Sequence, residues 1–174
     1  MFLSVFTIIK TEPNSNTCKV HQMNIQEIDL FLAKFYGGRK LQVVPYAYNV
    51  TFTALAAAGS ATQIVNIAAN ADFCLLSLSH RANVAAAGQT VSNKTAPLCR
   101  LLVTDSGSNE QFTAQAVDLE NYSTNDAKEN VLAYPRIISG RSTLTVQLTN
   151  YDAAQTYNVD IMFEGVLVRA FNNA

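Results

Sequence analysis

From Arg141 to Phe171 apolar and polar residues alternate with the period of a strand that buries one face. Leu144, Val146 and Leu148 point one way, and Thr143, Thr145, Gln147 and Thr149 point the other. The turn-rich segment Asn150-Tyr151-Asp152-Ala153-Ala154 follows. Tyr157, Val159, Ile161 and Phe163 then alternate with Asn158, Asp160, Met162 and Glu164 until Gly165 interrupts. The pattern predicts a pair of long strands joined by a hairpin-like antiparallel return, the second strand bent at Gly165.

The same alternation extends upstream. Strands are predicted at about Leu41 to Ala54, Gln63 to Ile67, Phe73 to His80, Leu98 to Thr104, Gln111 to Val117, Tyr134 to Ile138, Ser142 to Tyr151 and Thr156 to Phe171. Eight strands over about 130 residues fit a mostly β chain, an antiparallel β-sandwich of jelly-roll or Greek-key type. Small-residue loops separate them, notably Ala56 to Ser60 and Ala82 to Thr95. The polar stretch Asp118 to Asn130 is too long for a tight hairpin, and is either disordered or ordered by contact with something else.

The first 45 residues read differently from the rest. Phe2 to Ile9 is rich in β-branched and aromatic residues and predicts a strand, which stops at Thr11-Glu12-Pro13-Asn14. A helix is predicted over about Ile25 to Tyr36, with Asn24 capping its first turn, Glu27 in the capping-box position and Gly37-Gly38 as its stop. Ile25, Ile28, Leu32 and Phe35 share one face of it. That face either packs on the sandwich or docks on a neighbouring subunit. Residues 1–45 are thus set apart, as a strand and helix that could serve as a docking arm, from a sandwich domain at 46–174.

Composition narrows the function. A chain of 174 residues supports one ordinary core. Its 12 basic and 13 acidic residues leave a net charge of −1, and no basic stripe exists to neutralise a phosphate backbone, which argues against nucleic acid as the main partner. Charged residues make up only 14%, against roughly 25% in an average soluble domain. With 49% hydrophobic residues, so weakly charged a surface suggests that a partner covers part of it. No apolar run is long enough to span a bilayer, and Phe2 to Ile9 lacks the basic start and small-residue cleavage site of a signal peptide; the expectation is a soluble, unsecreted chain.

Candidate chemistry is sparse. Cys18, Cys74 and Cys99 show no metal-ligand spacing, and Cys74 and Cys99 stand in apolar strand contexts where a free thiol acts as a small core residue. A Cys74–Cys99 disulfide is the less favoured alternative, since nothing marks an oxidising compartment. His21 and His80 have no acid or nucleophile at a motif spacing and read as structural or surface histidines. Asp118 and Glu120 would share a strand face like a glycosidase pair, but without a tryptophan platform they read as solvated loop charges. Asp105-Ser106-Gly107-Ser108-Asn109 lacks the acidic spacing of a calcium hand and predicts a hairpin turn. Phosphate loops, nucleophile elbows and zinc helices are missing, so no enzyme activity, cofactor or metal is expected.

Several segments together carry a family likeness. Val50-Thr51-Phe52-Thr53-Ala54-Leu55-Ala56-Ala57-Ala58-Gly59 and Asn66-Ile67-Ala68-Ala69-Asn70-Ala71-Asp72-Phe73 are followed by Leu101-Leu102-Val103-Thr104-Asp105-Ser106-Gly107-Ser108. Then come Leu132-Ala133-Tyr134-Pro135-Arg136-Ile137-Ile138, Ser142-Thr143-Leu144-Thr145-Val146 and Tyr157 through Gly165. Over roughly Asn49 to Phe171 this pattern resembles small β-sandwich structural proteins of tailed-bacteriophage virions, of the capsid decoration or cement type. The first 45 residues depart from the compact versions of that family.

The resemblance implies a non-enzymatic protein that binds across joints between capsid subunits and stabilises the shell. It implies the major capsid protein or other virion proteins as partners, self-association as a homo-oligomer, and residence on the capsid surface after assembly in the host cytoplasm. Neither nucleic acid nor membrane is implied as a partner. The apolar faces available for docking are Phe2, Val5, Phe6 and Ile8 of the first strand and Ile28, Leu32 and Phe35 of the helix. Similar sandwiches also serve in necks, tails and fibres. A carbohydrate- or receptor-binding sandwich is the other alternative, for which Tyr122, Tyr134 and Tyr151 would be the platform.

Overall fold

The computed structural model describes residues 25–85, 95–122, 124–125 and 130–171. The predicted strand at Phe2 to Ile9, together with Cys18, His21, Asn24 and most of the Ala82 to Thr95 loop, lies outside the described residues. The chain runs α1 (Ile25–Phe35), β1 (Lys40–Leu55), β2 (Ser60–Asn66), β3 (Asp72–Val84), β4 (Cys99–Asp105), β5 (Glu110–Gln111), β6 (Val117–Asp118), α2 (Leu119–Tyr122), β7 (Thr124–Asn125), β8 (Asn130–Ile138), β9 (Thr143–Asn150) and β10 (Tyr157–Phe171).

These strands form two sheets packed face to face. In the first, β10 lies between β1 and β3, and β3 pairs on its far side with β8 and with the two-residue β7. In the second, β9 lies between β2 and β4, and β4 pairs with β5 and β6. All pairings are antiparallel except the short β3–β7 bridge. Successive long strands alternate between the sheets, so that the first pairs with the last and the second with the last but one. This is jelly-roll connectivity, the more specific of the expected sandwich types.

The expected hairpin between the last two long strands is not formed. β9 and β10 belong to opposite sheets, and the segment between them crosses the end of the sandwich. Alternation reports that each strand buries one face; it is silent about which strand lies alongside. Here the buried faces look at each other: Leu144, Val146 and Leu148 of β9 and Val159, Ile161 and Phe163 of β10 are all fully enclosed in one core with Phe52, Phe73, Leu75, Leu101 and Ile138.

Asn150 organises the crossing. Its side chain is completely buried, and Nδ2 faces the carbonyl oxygens of Leu55, Ala56 and Gln155 at 3.3, 3.0 and 2.8 Å. Its Oδ1 accepts from the Asp152 N–H at 2.9 Å. Asp152 in turn accepts from the N–H groups of Ala154 and Gln155 and from the Tyr157 hydroxyl, which holds its carboxyl below the usual range. The ends of β1 and β9 and the start of β10 are thereby tied to one side chain.

The bend expected at Gly165 is a register shift. Glu164 pairs with Ser77 and Gly165 with Leu75, so Leu76 is an extra residue in β3. A side chain on Gly165 would overlap the Cys74 carbonyl oxygen, so this position of the register shift requires a glycine. The shift also changes the phase of β3. Leu75 and Leu78 both enter the inter-sheet core, while Cys74 and Leu76 face outward toward α1.

α1 lies on that outer face as a third layer. Leu32 and Tyr36 are buried against Cys74 and Val168, with Ile28, Phe31, Leu41, Val43 and Val166 packed around them. The Gly37-Gly38 stop acts as expected: both glycines have φ near the left-handed region (63° and 73°), and the Gly38 N–H returns to the Ala33 carbonyl at 2.9 Å. The Tyr36 hydroxyl donates to Asp72 Oδ2 at 2.7 Å and anchors the helix end to β3. Burial, reinforced by that carboxylate, pushes the phenol pKa up. β1 begins at Lys40, so a boundary after residue 45 falls inside a strand.

The predicted strand Gln111 to Val117 survives only at its ends. Gln111 pairs with Thr104 and Val117 with Leu101, the Phe112 N–H still reaches the Val103 carbonyl at 2.9 Å, and the longer path on this side leaves residues 113–116 out of the ladder. The polar stretch after Asp118 begins with α2, whose Leu119 is fully buried in the core. Cys74 and Cys99 are free thiols in different layers, one beneath α1 and one between the sheets.

Candidate functional site

The residues singled out for chemistry are brought into structural roles. His80 is not at the surface: it is 3% exposed, and its Nε2 lies 3.0 Å from Glu120 Oε1 on α2. Asp118 accepts from the Tyr151 hydroxyl at 2.7 Å and from Arg100 Nε at 3.2 Å, while the Arg100 guanidinium sits 5.0 Å from the centre of the Tyr151 ring. The Tyr151 bond, more than the Arg100 bond, holds the Asp118 carboxyl below its ordinary range and raises the Tyr151 phenol. Asp118 and Glu120 therefore engage different partners and do not converge on a shared reaction centre. Asp105 is buried and closes the β4–β5 turn, accepting from the Gly107 N–H at 2.8 Å and the Ser108 hydroxyl at 2.9 Å. Among the described residues no group of acidic, histidine or cysteine side chains could hold a metal ion.

The predicted docking residues separate. Phe2, Val5, Phe6 and Ile8 lie outside the described residues. Leu32 is fully buried, and Ile28 packs against the cluster beneath α1, so both serve the chain's own helix-to-sheet contact. Phe35 is different: it is 58% exposed, its ring stacked on Phe31 at 6.3 Å and edge-on to Tyr36 at 5.0 Å. Leu30, 69% exposed on the outer side of the same helix, was not among the positions on the predicted apolar face. Of the three tyrosines, Tyr134 is 83% exposed, Tyr122 packs against the core, and Tyr151 is engaged by Asp118 and Arg100.

Sequence reasoning missed the exposed edge formed by β1. This strand runs for 16 residues, pairs with β10 on one side and has no strand on the other among the described residues. Beyond Lys40 it carries no charged residue. Natural edge strands of this length are usually guarded by charge; β1 has Pro45 instead, which an edge tolerates because its missing N–H is not needed there.

Val44 and Tyr46, on the same side of the strand as Tyr48, Val50 and Phe52, remain exposed. Tyr46 meets Tyr48 edge-on at 4.9 Å, and Tyr48 meets buried Phe73 in the same way at 4.9 Å. An aromatic row thus runs from the core to the surface. Tyr48 also accepts the Ala68 N–H at 2.9 Å, which fixes the row against the turn before β3. Rigid aromatic side chains beside a free strand edge lose little entropy on being covered. The signal available in the sequence was the charge-free run from Leu41 to Leu55 containing a proline.

No protein-family model and no curated protein sequence matches this chain.

Proposed function

We propose that this chain is a non-enzymatic structural protein of a virion, a decoration or cement protein that binds across joints between capsid subunits. The observation that carries the reading is the edge of β1, unpaired among the described residues and without charge beyond Lys40, with Val44 and Tyr46 exposed beside it. In solution such an edge is a liability; in a shell it is a point of attachment, where a neighbouring subunit adds a strand through backbone hydrogen bonds and fills the apolar shelf. Low overall charge suits a protein whose surface is covered by neighbours on a symmetric assembly. Jelly rolls recur in viral capsid and lectin domains, and that is support by analogy of fold.

The test is attachment and its effect on the shell. Shells assembled with this chain should melt at a higher temperature than shells lacking it, and Tyr46→Lys should abolish both attachment and the gain while leaving the melting of the isolated protein unchanged. Equal melting of complete and depleted shells would sink the reading.

A further inference from the structure

At the end of the sandwich where β3 begins, β10 outruns its neighbour. The β10–β3 register ends with Val168 opposite Asp72, whereas β10 stays paired with β1 through Arg169, Ala170 and Phe171. Around the gap stand the end of α1, the turn before β3 and the turn at 139–141, leaving an open cleft of about 520 Å³. Its walls are built to meet. A side chain on Gly140 would come within 2.8 Å of the Ala71 carbonyl oxygen, and the Gly140 N–H donates to Asp72 Oδ1 at 2.8 Å.

Three arginines, Arg39, Arg141 and Arg169, are among the residues that line this cleft. Asp72 is the one carboxylate among the lining residues, and its two oxygens are already engaged by Tyr36 and Gly140. None of these arginines forms an ion pair among the described residues. Arg39 gives its Nε to the Tyr36 carbonyl at 3.2 Å and lies 5.8 Å from the centre of that ring. Arg169 reaches Gln42 Oε1 through Nη1 at 3.4 Å, but its Nε is enclosed with no acceptor among the described residues. An enclosed cationic N–H without an acceptor is costly, and such a group calls for an explanation. Arg141 sits at φ 67°, a region arginine rarely adopts.

We infer that this cleft binds a small oxyanion, a carboxylate or phosphate group clamped by Arg39, Arg141 and Arg169. A guanidinium presents planar, forked donors that match either group bidentately. The volume is that of a small-molecule site and admits an anion the size of a tricarboxylate or an acidic sugar. The site adjoins the start of β1, since Arg169 lies opposite Gln42, but anion binding there does not require a partner on the β1 edge.

The test follows the Arg Nε–H resonances of the full chain by nitrogen-edited NMR at low salt. Phosphate, citrate and glucuronate are titrated separately, with glucose as the neutral control. Arg169 Nε–H should shift saturably with at least one anion and stay unmoved by glucose. Affinity should fall roughly tenfold or more in Arg169→Gln and in Arg141→Gly. Arg141→Gly should fold at least as well as the parent, because glycine suits that φ, so it decides the matter even if Arg169→Gln does not fold. Saturation by phosphate alone identifies a phosphate ligand, and saturation by citrate or glucuronate a carboxylate; either supports the inference. No saturation by any anion up to on the order of 10 mM, a response to glucose as large as to the anions, or undiminished affinity in Arg141→Gly overturns it.

Discussion

Replacing Asn150 should destabilise the fold more than any other polar substitution on β9, and its size can be worked out from the contacts. Nδ2 carries two hydrogens, so the Leu55, Ala56 and Gln155 carbonyls at 3.3, 3.0 and 2.8 Å share them. Oδ1 takes a further bond from Asp152. Asn150→Ala deletes about three hydrogen bonds at about 1 kcal/mol each and leaves enclosed carbonyls without a donor, a loss of about 3–4 kcal/mol. With a urea slope of about 2 kcal/mol/M, the midpoint should fall by roughly 1.5–2 M.

Asn150→Asp is the sharper probe. It keeps the shape but turns a donor toward three carbonyls into an acceptor, which disfavours the charged carboxylate and raises its pKa in the folded state. A raised folded pKa means that the acid form's contribution is whole below the unfolded value of about 3.9 and is lost as pH rises through the folded one. The gap between Asn150→Asp and the parent, measured by urea unfolding, should therefore widen from pH 4 to pH 7. If Asn150→Ala unfolds within about 1 kcal/mol of the parent, or the Asp variant shows the same deficit at both pH values, Asn150 does not hold the crossing.

Leu32→Ala should cost about 2–5 kcal/mol in urea unfolding because the side chain is fully buried under α1, whereas Leu30→Ser on the exposed side should change stability by no more than about 0.5 kcal/mol; equal effects would show that the helix is not packed on the sheet. Gly165→Ala should cost about 3 kcal/mol or more, since the added methyl meets backbone that cannot turn aside, and a near-neutral result would contradict the register shift at Leu76. Burial pushes the Cys74 and Cys99 thiols from 9.0 up to about 12, with Asp152 adding to the effect at Cys99. Their contribution is whole below pH 9.0 and is lost as pH rises toward about 12, so urea stability should decline over that window, and less steeply in the Cys74→Ala/Cys99→Ala double variant.

What could be read in the sequence was whatever is local. The alternation in β9 and β10, the glycine stop of α1 and the turn chemistry of Asp105 depend on neighbours a few residues away, and all were legible. The partners of β9 and β10 were not, because a strand's buried face is a property of the strand and its ladder is a property of the fold. The contact of His80 with Glu120 spans 40 residues, and that of Tyr36 with Asp72 spans 36, so no motif spacing could announce them. Arg39, Arg141 and Arg169 are far apart in the sequence, and only the fold brings them to the lining of one cleft. Leu32 was correctly placed on an apolar face, but amphipathic periodicity does not say whether that face meets the chain itself or a neighbour.

The sheet order also has a consequence in time. Both central strands, β9 and β10, come from the continuous segment Thr143 to Phe171, while the strands that flank them, β1, β2, β3 and β4, are all made earlier. On a ribosome, β2 and β4 must therefore wait for β9 to be joined in one sheet, and β1 and β3 must wait for β10, so the first sheet closes only when β10 has been added. The pairings that complete the molecule are the most distant along the chain, a topology that folds slowly. Until then β1, without charge beyond Lys40, has no neighbour in its sheet, and the nascent chain is most prone to aggregate over that interval.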